Sequence, residues 1–186
     1  MASTRLRITG GTARGVPLTE PRGARLRPTS GLVREAAFNI VGDEVEDATV
    51  LDLYAGTGAL AIEALSRGAT HATLVEAEPG CVTAILQSLA RTGFAEKARV
   101  LRGRLPAALK GLQGPFSLIF MDPPYGAGEG EEVLLGAATL LAPGGLIVFE
   151  HASRYNPPER PAGLRLADRR VYGDSALAFY RHQEGE

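Results

Sequence analysis

The residues Phe116-Ser117-Leu118-Ile119-Phe120-Met121 form a nearly unbroken apolar run that stops abruptly at Asp122-Pro123-Pro124-Tyr125. A run this short, rich in Phe and Ile, fits a strand buried on both faces, and such strands belong to parallel sheets covered by helices on either side. Pro124 keeps Pro123 out of the α region, and neither proline can donate a ladder hydrogen bond, so the strand ends at Asp122. Open α/β sheets bind ligands at the carboxyl ends of their strands. A carboxylate followed by a rigid turn offers acceptors and, before the Tyr125 hydroxyl, no donor. That set suits an NH₂ group on a flat ring able to stack on Tyr125. The plainer reading is a strand end with a tight turn and no ligand.

The rest of the chain agrees with a parallel sheet. Strands are predicted over 50–55, 71–76, 98–102, 116–122 and 146–150, and helices over 60–67, 80–92, 106–112 and 129–141. This alternation implies a doubly wound α/β domain. Pro143-Gly144-Gly145 reads as the turn into the fifth strand. The tail departs from the alternation: 164–172 and 175–181 flank Gly173-Asp174, an antiparallel hairpin signal. Before the first strand, Gly10-Gly11 lies between short β-type runs and suggests another hairpin. A helix from Thr29 or Ser30 to about Val41 carries the apolar stripe Leu32, Val33, Ala36, Ala37 and Ile40. Residues 1–42 thus read as an appendage, a basic extension packed on a main domain of 43–186.

Composition excludes several classes. The chain has 186 residues, enough for one sizeable core, and a single cysteine, Cys81, which rules out an internal disulfide or a thiolate zinc cluster. With only three scattered histidines, no metal site is expected. No apolar run approaches the roughly 20 residues that span a bilayer, and no signal peptide is legible, so the cytoplasm is the expected compartment. The net charge of −1 conceals an asymmetry: residues 1–34 carry seven arginines against Glu20, leaving the remainder at −7. A basic arm on an acidic body suggests a polyanionic partner, although an ordinary solvated surface would look the same.

Leu51-Asp52-Leu53-Tyr54-Ala55-Gly56-Thr57-Gly58 ends the first strand and opens a helix. Gly56 and Gly58 permit a tight turn with close backbone approach to a ligand under the helix N-terminus. Gly56-x-Gly58-x-x-Ala61 also fits a dinucleotide fingerprint, and Glu76 at the end of the second strand suits ribose hydroxyls in either case. Asp52 separates the readings. Its charge would repel a pyrophosphate, whereas it suits a ligand bearing an ammonium and a sulfonium. As a plainer alternative, Asp52 caps the following turn.

Together, Asp52-x-x-x-Gly56-x-Gly58, Glu76 and Asp122-Pro123-Pro124-Tyr125 resemble a class I S-adenosylmethionine-dependent methyltransferase acting on an exocyclic amine. The resemblance implies a Rossmann-like, seven-stranded, mostly parallel sheet with an antiparallel last strand, plus the N-terminal hairpin and helix. It assigns the cofactor to Asp52, Tyr54, Gly56, Gly58, Glu76, Arg104 and Leu105, and catalysis to Asp122, Pro123 and Tyr125. The N-terminal text is more specific. Arg7-Ile8-Thr9-Gly10-Gly11-x-x-Arg14-Gly15, Leu26-Arg27-Pro28-Thr29 and Val33-Arg34-Glu35-Ala36-x-Phe38-Asn39 are similar to the RsmD family. That family methylates N2 of a guanine in bacterial 16S ribosomal RNA, free, in the 30S subunit or in an assembly intermediate. The resemblance spans residues 5–181 and implies RNA contacts from Arg7, Arg14, Arg27, Arg34 and Asn39, in a monomer. Asn39 reads equally as a helix cap.

Two positions depart from the family pattern. Leu32 stands where a basic residue is usual. Arg102-Gly103-Arg104-Leu105 stands where Asp or Asn usually accepts from the adenine amino group, which Arg104 cannot do. Backbone contacts from Arg104 and Leu105, or guanidinium stacking, are expected instead. Three rival readings stay open: a DNA adenine or cytosine amino-methyltransferase, which would normally carry a separate target-recognition segment, a non-catalytic RNA-binding ribosome-assembly factor, and a nicotinamide-dependent reductase.

Overall fold

The computed structural model describes residues 6–21, 31–124 and 129–183. Its strands are β1 Thr49–Leu53, β2 His71–Glu76, β3 Ala98–Arg102, β4 Phe116–Met121, β5 Leu141–Ala152, β6 Leu164–Tyr172 and β7 Ser175–His182. Its α-helices are α1 Gly31–Val41, α2 Ala59–Ser66, α3 Pro79–Thr92 and α4 Glu129–Ala138. The strands form one sheet in the order β3-β2-β1-β4-β5-β7-β6. β1 to β5 run parallel, and β7 is antiparallel to both of its neighbours. The apolar runs supply the central strands, where both faces are covered. The outer strands β3 and β6 carry Arg99, Arg102, Arg165, Arg169 and Arg170, charges that discourage further pairing at an edge.

Alternation along the strands divides the core in two. On one face Val50, Leu74, Leu118, Phe120 and Val148 pack beneath α1, α2 and α3. On the other, Leu51, Leu53, Ile119, Ile147 and Phe149 pack against Val133, Leu134 and Ala137 of α4. No helix among the described residues is long and apolar enough to cross a membrane.

Three local expectations are corrected. β5 begins at Leu141 and runs through Pro143-Gly144-Gly145; pairing with β4 jumps from Phe116↔Leu141 to Leu118↔Leu146, so the extra residues form an irregularity within the strand rather than a turn before it. The segment expected as a helix over 106–112 is a 3₁₀ turn, Ala107–Gly111, because a stretch confined between Pro106 and Gly111 is too short to offset the cost of helix nucleation. The third correction concerns the N-terminal arm. Arg7 pairs with Pro17 in a single antiparallel bridge, and the turn spreads over residues 10–15 instead of closing at Gly10-Gly11.

The turn is wide because it is seated on α2. The Thr12 N–H donates to the Ser66 carbonyl at 2.7 Å and the Ala13 N–H to Ser66 Oγ at 2.9 Å. Gly11 has φ +75°, and a Cβ there would lie 1.8 Å from the Ser66 carbonyl oxygen, so only glycine allows this approach. Ile8, Ala13 and Leu18 enter the core at 2%, 7% and 4% exposure, so the arm contributes side chains to the core beneath α1 and α2.

Glu63 holds these pieces together. Lying on α2 with no exposed surface, its carboxylate accepts from the Thr9 N–H at 2.9 Å, Thr9 Oγ1 at 2.8 Å, the Gly10 N–H at 2.7 Å and Arg67 Nε at 3.0 Å. Arg34 of α1 completes the set, with Nε 3.5 Å from Glu63 Oε2 and Nη2 donating to the Arg7 carbonyl at 2.7 Å. Breaking a buried ion pair from one side typically costs about 3–5 kcal/mol. Glu63→Ala should therefore lower the melting temperature by at least about 6 °C, since 1 kcal/mol shifts a domain of this size by roughly 2–4 °C. Deleting residues 1–21 should act in the same direction. Calorimetry checks both, and melting temperatures at the parental value would remove Glu63 from this role.

Candidate active site

The strand order reverses between β1 and β4, and the crevice beyond their carboxyl ends is where such sheets bind ligands. Leu53 pairs with both Val75 and Met121, so the segments following β1, β2 and β4 leave the sheet at one level. Backbone hydrogen bonds stitch them together: Ala55 N–H to the Val75 carbonyl at 3.0 Å, Gly103 N–H to the Glu76 carbonyl at 3.0 Å and Asp122 N–H to the Leu53 carbonyl at 3.4 Å. Tyr54, Gly56, Gly58, Glu76 and Asp122 thereby converge on one edge, with Arg104 and Leu105 alongside. Tyr125 and Arg27 lie outside the described residues.

The loop after β1 turns sharply. Tyr54 has φ +65°, a backbone state that a bulky residue holds only against strain of about 1–3 kcal/mol. Its hydroxyl donates to Glu129 Oε1 at 2.9 Å, anchoring the loop to the first residue of α4. Burial and this carboxylate push the Tyr54 phenol above its ordinary pKa. Gly56 and Gly58 both have positive φ, for different reasons. A Cβ on Gly58 would crowd Ile85, Leu74 and Ile62 at 3.1–3.3 Å, so this glycine serves close packing under α2. A Cβ on Gly56 would meet only the Tyr54 carbonyl, at 3.9 Å, and the space before it is open to a ligand.

Three carboxylates face this loop. Glu76 binds it directly, Oε2 accepting from the Gly56 N–H at 2.7 Å and Oε1 from the Glu78 N–H at 2.8 Å. Each oxygen retains a further lone-pair direction. Asp52 is 2% exposed, and its Oδ2 accepts from the Ala61 N–H at 3.2 Å in the first turn of α2. The helix-capping reading thus describes its visible contact. Asp122 is half-buried, followed by buried Pro123 and exposed Pro124. Pro123 is wedged at the start of α4, where a Cβ on Gly130 would lie 3.3 Å from its ring and 3.4 Å from Phe149.

The expected RNA contacts fare differently. Arg34 is corrected: at 2% exposure, with its guanidinium committed to Glu63 and the Arg7 carbonyl, it cannot reach a phosphate. Arg7 and Arg14 are exposed, on an arm seated at the C-terminal half of α2, the end remote from the Gly56 loop. Asn39 is exposed on α1. Cys81 is fully buried. His151 packs at a tilt against Phe149 and edge-on against Tyr155, with ring centroids 5.4 and 5.5 Å away, and its Nδ1 lies 2.8 Å from the Ala152 carbonyl. Sequence reasoning missed Glu63 and Glu129. Glu63 had a signal, a lone charge in the otherwise apolar helix Ala59–Ser66. Glu129 had none.

This sheet order with a reversed β7, its glycine loop and its acid-ended β2 and β4 define a Rossmann-like methyltransferase. Solved structures agree: "Putative methyltransferase yhhF from Escherichia coli" superposes with a TM-score of 0.86 at 36% identity, over 96% of this chain and 98% of that one. A "hypothetical protein" of Thermus thermophilus does so with a TM-score of 0.77 at 33% identity, over 95% and 99%. The family described as "Conserved hypothetical protein 95" matches residues 6–181. "Ribosomal RNA small subunit methyltransferase D" of Escherichia coli is 38% identical over 99% of this chain and 94% of its own length. The chain belongs to the RsmD family of ribosomal RNA methyltransferases.

The three carboxylates leave a titration signature. Burial, and then the charges of Asp122 and Glu76, push the Asp52 carboxyl up to about 8 against the opposing Ala61 N–H. An unfolded aspartate titrates near 3.9, so between about pH 4 and 8 the folded protein holds a proton the unfolded chain has lost. Asp52 therefore makes stability fall as pH rises through that window and level off above it. Asp52→Asn should flatten this slope while keeping the acceptor for Ala61. Urea unfolding between about pH 5 and 9 measures it, and parallel profiles for parent and variant would contradict the assignment.

Proposed function

We propose that this chain transfers a methyl group from S-adenosylmethionine to the exocyclic N2 amine of a guanine in 16S ribosomal RNA, presented in the 30S subunit or an assembly intermediate. The observation that carries this reading is the strand end at Asp122 and Pro123, set at the switch point beside the Gly56 loop.

The residues fit the cofactor. The open approach at Gly56 admits a ligand against the backbone, and Glu76, already tied to that loop, has lone pairs left for ribose hydroxyls. Glu76 and Asp122 give the edge a negative field, which favours a ligand bearing ammonium and sulfonium charges, and such a bound cation would in turn favour the ionised form of Asp52. Arg104 and Leu105 flank the adenine through their backbone, a reading supported by the bond from the Gly103 N–H to the Glu76 carbonyl. When bound, S-adenosylmethionine supplies a methyl group already activated on sulfur.

The protein then has to make a poor nucleophile attack. The lone pair of a guanine N2 amine is delocalised into the ring. Hydrogen bonds from that NH₂ to the Asp122 carboxylate and the Pro123 carbonyl localise it on nitrogen and orient it. Asp122 also stabilises the positive character that nitrogen gains in the transition state, and accepts a proton only after transfer. Tyr125 stacks on the flipped base. Arg7 and Arg14, remote from the Gly56 loop, hold flanking RNA through its phosphates and not the target nucleotide. The protein works as a cytoplasmic monomer.

Asp122→Ala should slow single-turnover methyl transfer to 30S particles or 16S RNA by about 10²–10³-fold, the usual cost of losing one pre-organised electrostatic partner. Affinity for S-adenosylmethionine, measured by calorimetric titration, should change little. Transfer at the parental rate would overturn the mechanism.

A further inference from the structure

Residues 97–110 hold five bases, Lys97, Arg99, Arg102, Arg104 and Lys110, and no acid, whereas the rest of residues 43–186 holds eight bases against nineteen acids. The fold lays four of the five, Lys97 to Arg104, along β3, an outermost strand of the sheet. All four are exposed, and among the described residues none of their side chains forms an ion pair. The opposite edge differs: on β6, Arg169 donates to the Ser153 carbonyl and Arg170 pairs with Asp168. Val100 packs on one face of the sheet and Leu101 on the other, so by alternation Arg102 and Arg99 flank the open edge from opposite faces. Glu76, the register partner of Arg102, turns its carboxylate to the Gly56 and Glu78 N–H groups. Glu96 is the one acid beside the stripe in sequence.

Keeping a sheet edge from pairing requires charge of either sign, and acids would serve as well as bases. A run of unpaired bases on an otherwise acidic body is instead the footprint of a polyanion, and arginine matches phosphate with its planar fork of donors. The stripe also leads to the right place. From Arg99 to Arg104 it extends roughly 17 Å along the strand direction, and the bond from the Gly103 N–H to the Glu76 carbonyl brings its end level with the carboxyl edge. From β3 to β4 is three strand spacings, roughly 14 Å, a gap that a short length of single-stranded RNA crosses. We infer that the β3 edge is a track for the RNA backbone, with Lys97, Arg99 and Arg102 holding phosphates that flank the target nucleotide. This inference rests on the proposed methyl transfer to ribosomal RNA and adds the path by which that RNA reaches Asp122.

The test compares the full-length parent with two double variants of equal net charge, Arg99→Gln with Arg102→Gln on β3, and Arg160→Gln with Arg170→Gln at the opposite edge. Affinity for purified 16S RNA and for 30S particles would be measured over a series of salt concentrations. The β3 variant should keep the parental melting temperature, since both side chains are exposed and unpaired. Its log affinity for free 16S RNA should depend less steeply on log salt, by roughly 0.7–0.9 for each lost phosphate contact. In methyl transfer the loss should fall on KM for RNA and not on kcat. The opposite-edge variant should keep the parental slope. A parental slope in the β3 variant overturns the track, and equal changes in both variants trace the effect to net charge and overturn it too. Weakened binding to 30S particles alone, with free RNA bound as by the parent, would mean that the stripe meets a protein of the particle. A parent that transfers no methyl group but loses salt dependence with Arg99 and Arg102 refutes the proposed chemistry and leaves the track standing.

Discussion

A fully buried carboxylate, Glu63, sets the arrangement of everything above the sheet on the α1–α2 side. Removing its charge from water is costly, and four hydrogen-bond donors, the Thr9 N–H and hydroxyl, the Gly10 N–H and Arg67, together with the Arg34 charge, offset that cost from three separate segments. The arm, α1 and α2 are therefore one cooperative unit. Arg67 extends the unit by lying 4.9 Å over the Phe38 ring, which in turn packs 5.5 Å from Phe120. Through that chain of contacts a charge pair far from the Gly56 loop fixes where α1 crosses the sheet. Val33 and Ala37 line a small void beside Glu150, so the position of α1 also sets the packing at that point of the sheet.

The carboxyl edge follows a different logic. Asp52, Glu76 and Asp122 crowd acceptors at the carboxyl ends of three neighbouring strands, and backbone N–H groups satisfy part of the demand at Glu76 and Asp52. Such an edge is electrostatically uncomfortable alone and complementary to cations and N–H donors. The strained Tyr54 backbone belongs with it: a positive φ turns the loop so that Gly56 faces open space, while the hydroxyl of the same residue reaches Glu129 and ties the loop to α4. The glycine loop is thus held from both sides of the sheet, by Glu76 along one edge and α4 across the other.

The arm illustrates how one residue type takes two roles. Arg7 and Arg14 face solvent, consistent with the basic asymmetry of the sequence. Arg34 lies close by in the same basic stretch and is buried. Its guanidinium is pulled below its usual pKa by desolvation, with Glu63 opposing that shift. A count of charges cannot tell these arginines apart, because the difference lies in what sits across from each one.

Local physics made most of the fold legible. Continuous apolar runs, Gly93 closing α3 and Gly173-Asp174 between β6 and β7 specify elements through interactions a few residues apart. The acids that end apolar strands, Glu76 and Asp122, could be placed at a carboxyl edge for the same reason. What only the tertiary structure decided are the encounters across sequence: Thr9 with Glu63, 54 residues apart, the seating of the arm turn on Ser66, and Met121 beside Phe149. Strand order and helix crossing set these contacts, and they depend on desolvation and close packing summed over the whole core, which no short stretch of residues encodes.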